Sequence, residues 1–295
     1  MRVFVTGASG FIGSAVVPEL IAGGHQVTGL ARSDASAEAL AAAGAEPHRG
    51  SLDDLDSLRA GAAAADGVIH LAFIHDFSEY EAAQRADLAA IDAFGETLAG
   101  SGKPLVIASG LAGHPQGRPL TERDMPARDA PRAAAARNVL ALAERDVRSS
   151  VLRLSASVHD KGDPGFVHAL VDIARDRGVS GYLDDGANHW PAVHRLDAAR
   201  LFRLAVEDAP AGSVLHGVAD EGVPIRTIAE IIGRHLDLPT ASVPADKAAE
   251  HFGWLGRFLA LDVRAGNALT RELLDWHPTH PSLVEDLEEG HYFTP

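Results

Sequence analysis

Apolar positions in the first half of the chain fall into short runs that alternate with longer stretches of helical spacing. Segments 3–5, 25–31, 45–49, 67–72, 104–108 and 149–154 read as strands. Segments 14–22, 35–43, 79–98 and 133–145 carry apolar residues at helical spacing, and Asp53 or Asp54 can cap a further helix running to about 64. Gly, Pro and charges without period make 110–131 a loop. Strands and helices alternating at this interval predict an α/β fold of Rossmann type, a doubly wound parallel sheet. The second half turns mainly helical, at 166–177, 196–207, 225–236, 245–252, 268–274 and 282–289, with strands at 180–183 and 213–217. The expected division is a dinucleotide-binding domain over 1–160, with 190–218 returning to it. A smaller, mainly helical substrate-binding part comes from 161–189 and 219–295.

The first break in the pattern carries the most chemistry. The run Val3–Val5 ends in Thr6-Gly-Ala-Ser-Gly-Phe-Ile-Gly13 and passes straight into a helix. Gly7 suits the tight turn, Gly10 a close approach of backbone to phosphate, and Gly13 the packing of helix on strand. The free N–H groups and dipole of the helix N-terminus favour a pyrophosphate there. The end of the second strand then selects between dinucleotides. An acid would bond the ribose hydroxyls of NAD, but the chain reads Ala31-Arg32-Ser33, which offers a guanidinium and a hydroxyl to a 2′-phosphate. NADP(H) is therefore expected over NAD, with Asp34 as the one nearby acid that could serve an NAD ribose. Leu52 and Asp53 stand where the adenine edge would fall.

Charge and composition narrow the partners. Forty-one acidic against 26 basic side chains give a formal charge of −15, which argues against nucleic acid or an anionic membrane surface and for a small-molecule substrate. The absence of cysteine removes disulfides, thiolate metal sites and thiol nucleophiles, and suits a reducing cytoplasm. No leader or membrane-length apolar run is expected, and no histidine spacing suggests a metal. A homodimer through the helices around 79–98 and 131–145 is a possible assembly.

Six segments together resemble the short-chain dehydrogenase/reductase superfamily in its extended, epimerase-like branch. They are the glycine segment 6–13, Val68-Ile-His-Leu-Ala72, Val106-Ile-Ala-Ser109, Val151-Leu-Arg-Leu-Ser-Ala-Ser-Val-His159, Ala192-Val-His-Arg-Leu-Asp197 and Gly222-Val-Pro-Ile-Arg-Thr-Ile-Ala229. The likeness runs from residue 1 to about 240. It implies that Ser9, Phe11 and Ile12 of the glycine loop, Leu71, Ala72 and Phe73 past the fourth strand, and Val158 also touch the cofactor. It implies too that Ser109 is the hydroxyl that orients substrate.

One departure outweighs these matches. The family's YxxxK pair is absent: counting back from Arg153 puts its Tyr at Arg128 and its Lys at Arg132, and no Tyr lies between 109 and 153. Arg132 can hold a ribose or an anionic substrate but cannot act as a base. Candidate proton donors are Tyr182 and His159, while His75, Asp76, Phe166, His168 and Trp190 are expected to line the substrate pocket. The leading reading is an NADP(H)-dependent reductase of a carbonyl-type or imine small molecule with a nonstandard proton donor. A redox-silent NADP(H) sensor and a redox-neutral isomerase, dehydratase or cyclase are the alternatives.

Overall fold

The structure is a computed structural model that describes residues 1–74, 80–112, 117–127, 130 and 132–294, with backbone only at Tyr80. In chain order the first half runs β1 (Arg2–Thr6), α1 (Gly13–Ala22), β2 (Gln26–Ala31), α2 (Asp34–Ala42), β3 (Glu46–Arg49), α3 (Leu55–Ala64), β4 (Gly67–His70), α4 (Tyr80–Leu98), β5 (Pro104–Gly110), α5 (Ala133–Ala141) and β6 (Arg148–Leu154). The second half runs β7 (Ser157–His159), α6 (Phe166–Arg177), β8 (Ser180–Leu183), β9 (His189–His194), α7 (Arg195–Asp208), β10 (Ser213–Gly217), β11 (Asp220–Pro224), α8 (Ile225–Leu236) and β12 (Thr240–Val243). It closes with α9 (Ala248–Phe252), α10 (Gly256–Leu259), α11 (Ala268–Leu274) and α12 (Leu283–Glu288).

Seven strands pair in the order β10-β6-β5-β4-β1-β2-β3, every pair parallel. Strand alternation divides the interior: Val3 and Val5 enter one layer with Val16, Leu20 and Phe202, while Phe4 enters the other with Ile91, Phe94 and Val139. This doubly wound α/β sheet is the one expected from the sequence. All parallel strands end on one side, so the turns after β1, β4 and β5 meet at a common edge.

A third core belongs to the C-terminal part, where Val167, Leu170, Trp190, Ile228, Ile232 and Leu287 pack together. Two small sheets lie there, β11-β9-β7 and β12-β8. Strands β7, β9, β11 and β12 are three to six residues long and escape a reading by period. The end of α11 and the residues just after it cross the expected division: Leu274 and Trp276 join the core under the main sheet, and Trp276 Nε1 donates to the Asp197 carbonyl at 3.0 Å. No helix among the described residues is long and apolar enough to cross a membrane.

Candidate dinucleotide and catalytic site

The glycine segment forms a tight turn pressed against the end of β4. Gly7 has φ of +68°, and a Cβ there would stand 2.7 Å from the Ala72 nitrogen. At Gly13 a Cβ would meet the Gly7 carbonyl oxygen at 2.1 Å, so the start of α1 seats directly on the turn. Ser9 and Gly10 are exposed, which leaves their backbone open to a ligand. Phe11 is held from above by the Arg195 guanidinium, 4.7 Å from the ring centroid, and Arg195 is itself paired with Asp160 at 2.9 Å. Ile12 and Leu71 pack on the core beside the turn. A concave backbone surface at a helix N-terminus, kept clear by two glycines that tolerate no side chain, fits the pyrophosphate of a dinucleotide.

At the end of β2 the chain offers cations. Arg32 is exposed and, among the described residues, pairs with no carboxylate. Asp34, the acid that could serve an NAD ribose, is ion-paired with Arg49. Ser33 is the N-cap of α2, where its hydroxyl accepts from Ser36 N at 3.2 Å. Asp54 caps α3 by accepting from Ser57 N at 3.0 Å, whereas Asp53 is exposed and Leu52 half-buried.

The catalytic edge is organised by a buried ionic chain. Arg132 directs Nε and Nη2 at Asp87, at 3.2 and 3.0 Å, and Nη2 also donates to the Ala108 carbonyl at 2.8 Å. Its guanidinium lies 4.6 Å from the centre of the Phe73 ring. Behind it, Asp87 is 1% exposed and stands 3.3 Å from His70 Nε2, while His70 Nδ1 bonds Thr6 Oγ1 at 2.7 Å. Thr6 Oγ1 in turn accepts from Ala72 N at 3.3 Å. Burial pushes the Asp87 carboxyl up, but the neighbouring His70 ring and the Arg132 charge outweigh it and hold its pKa below the ordinary value. One continuous polar path therefore joins the glycine turn to the backbone of β5 just before Ser109. The Ser109 side chain is half-buried and finds no protein hydrogen-bond partner among the described residues.

The sequence did not single out Asp87, His70 or Thr6 as site residues. A signal for Asp87 exists: the acid falls in helical phase with Ala83, Ala90, Ile91 and Phe94 on the apolar stripe of α4. An acid on such a stripe needs a buried cationic partner.

The other expected site residues scatter. Tyr182 lies on β8 with its ring against Gly186 and 5.4 Å from the Arg226 guanidinium, and neighbours neither Ser109 nor Arg132. His159 is fully buried, its Nδ1–H donating to Asp286 Oδ2 at 2.8 Å, and stands edge-on to His194. His168 is on the surface, paired with Asp172 one turn on. Trp190 is 1% exposed and belongs to the third core, so it backs Phe166 at 5.4 Å rather than facing an open pocket. Val158 is half-buried against the first core. His75 and Asp76 lie outside the described residues. Tyr292 is buried, donates to Asp163 at 2.9 Å, and burial first, then the Asp163 charge, raises its pKa. Three potential metal ligands, Asp286, Glu289 and His291, have atoms within 4.8 Å of one another, with Asp286 already engaged by His159.

Fold, glycine turn and edge geometry together define a Rossmann-type dinucleotide-binding protein. A model of the NAD dependent epimerase/dehydratase family matches residues 3–97. The chain is 48% identical over 295 residues to an uncharacterised protein of Schizosaccharomyces pombe, covering 99% of this chain and 100% of the relative. It is 31% identical to the 3-diazoavenalumate denitrifying reductase of a Streptomyces species, over 97% of this chain and 99% of that one. Among solved structures, MoeE5 in complex with UDP-glucose and NAD superimposes with a TM-score of 0.77 at 23% identity, covering 98% of this chain and 96% of the other. The chain belongs to the NAD dependent epimerase/dehydratase family, and so to the short-chain dehydrogenase/reductase superfamily that its motifs resemble.

Proposed function

We propose that the chain is an NADPH-dependent oxidoreductase that reduces a carbonyl-type or imine group on a small molecule. Membership of the family and the reductase name of the Streptomyces relative support the oxidoreductase class. The unpaired Arg32 beside the Asp34–Arg49 pair supports NADPH as its cofactor. When bound, the dinucleotide would supply a hydride. The glycine turn would hold its pyrophosphate, and Arg132 would present a fixed cation to the ribose side of the edge.

The observation that carries the reading is the placement of Arg132 against the Ala108 carbonyl, next to the free hydroxyl of Ser109. Ser109 would donate a hydrogen bond to the substrate oxygen or nitrogen and so polarise it. No tyrosine among the described side chains reaches this edge. The proton that follows the hydride would therefore come from water relayed through Ser109 rather than from a fixed phenol. Tyr182 and His159 are committed elsewhere, one beneath Arg226 and the other sealed against Asp286.

The test is NADPH oxidation followed by absorbance across a panel of aldehydes, ketones and imines. Turnover on some members, with deuterium from labelled NADPH recovered in the product, is the expected result. Tight NADPH binding with no turnover on any member would instead support a redox-silent or redox-neutral role.

A further inference from the structure

A groove in the C-terminal part lies between β8 and the α9–α10 segment. Its volume is about 740 Å³, within the range of small-molecule sites. Leu183, Ala248, Trp254 and Ala260 line it, and Arg257 is the one charged residue on its wall. That guanidinium lies 4.8 Å from the centre of the Phe258 ring. Phe166 stacks behind this wall, 5.8 Å from Trp254 and 5.0 Å from Phe258, so the groove is backed by an aromatic cluster. Trp254, packed on Phe166, is 46% exposed there.

The groove is tied to the catalytic edge. From Ala260 the chain runs on through Leu261, Val263 and Ala265, which pack with Leu111 and Leu120. Leu120 and Ala265 form a β-bridge, with Leu120 N donating to Arg264 O at 2.7 Å. Leu111 stands two residues beyond Ser109. The end of the groove is thus fastened to the loop that leaves the Ser109 strand.

We propose that this groove seats the body of the substrate, and that the body is a largely uncharged, flat aromatic or conjugated system. The proposal rests on the reductase reading above and supplies its substrate class. A nucleotide diphosphate would bring two adjacent anionic groups, and the wall has a single guanidinium, stacked on Phe258, to meet them. A planar apolar ring instead matches the Trp254 face and the small Ala and Gly residues opposite.

The experiment uses tryptophan fluorescence of the whole chain with 2-acetylnaphthalene and UDP-glucose as probes, in the absence of NADPH. Energy transfer to the naphthyl ring also reaches the buried Trp190 and Trp276, so the groove signal is read as the part of the quenching that is lost in Trp254→Phe. Saturable quenching by 2-acetylnaphthalene is expected, weakened about ten-fold or more in Ala249→Phe. Ala249 lines the groove and is exposed, so the larger ring fills the groove without entering the core. NADPH affinity, read by calorimetry, should be the same in both proteins and certifies the fold. Equal affinity of wild type and Ala249→Phe for the ketone, or tighter binding of UDP-glucose than of the ketone, would overturn the proposal. Quenching that stands while NADPH is never oxidised would uphold the groove and count against the reductase reading alone.

Discussion

Arg132 and Asp87 form a two-pronged ion pair in which the carboxylate is almost fully buried and the second Nη2 donor of the guanidinium goes to the Ala108 carbonyl. Arg132 holds a left-handed backbone, φ of +59°, one residue before α5 begins. A non-glycine residue adopts that conformation only where its surroundings over-determine it. Gln84 Oε1 accepts from the Arg132 backbone N at 3.3 Å and Asp87 clamps the guanidinium, so the two together position Arg132 at the edge beside Ser109.

Removing one partner of this pair leaves a buried, uncompensated charge. Asp87→Ala is expected to lower stability by about 3–5 kcal/mol, measured by urea unfolding. Asp87→Asn should cost less, because the amide oxygen can still accept from Arg132. An Asp87→Ala variant as stable as wild type would show that the pair is open to water.

Ser109→Ala should lower turnover about 100-fold or more while NADPH affinity stays within about two-fold, since the hydroxyl meets the reacting group and not the cradle. Steady-state kinetics beside calorimetry separates the two. Equal loss in both would place Ser109 in the cofactor site instead.

Gly13→Ala tests the seating of α1 on the turn. Its Cβ would lie 2.1 Å from the Gly7 carbonyl oxygen, a contact no side-chain rotation relieves. Dinucleotide binding should be lost, together with a lower melting temperature. Retained binding would mean that the turn can shift by an ångström without harm.

These three sites differ in how far the sequence revealed them. The glycine turn was legible because φ and close packing demand glycine there, and Ser109 because a strand end is easy to place. Arg132 was found by counting, but its restraint was not: Asp87 is 45 residues away and meets it only once α4 packs beside α5. The parallel sheet was legible from strands alternating with helices, whereas β7, β9, β11 and β12 are interrupted by Ser, Thr, His, Pro or Asp and show no apolar run. Trp190 was placed on a pocket wall because nothing in a linear pattern distinguishes a lining aromatic from one a layer deeper.

Acid should weaken the fold through His194. Burial, offset in part by Asp160, holds its pKa below the ordinary histidine value; its ring stacks on His280 at 4.8 Å and stands edge-on to His159. The unfolded chain then binds the extra proton first, so stability falls as pH drops below about 6.5 toward the lowered folded value. Melting curves between pH 7.5 and 5.5 should show that slope. His194→Asn, which still caps α7, should reduce it; an unchanged slope would assign the effect to other groups.

The cofactor itself is the most direct test. Calorimetric titration with NADPH and NADH, on wild type and Arg32→Asp, reads the cradle and the β2 edge together. NADPH is expected to bind about ten-fold tighter than NADH, the worth of one charge-assisted hydrogen bond, with the order reversed in Arg32→Asp. Binding of neither dinucleotide by the folded wild-type protein would contradict the assignment of the Gly7–Gly13 turn, and with it the proposed reductase.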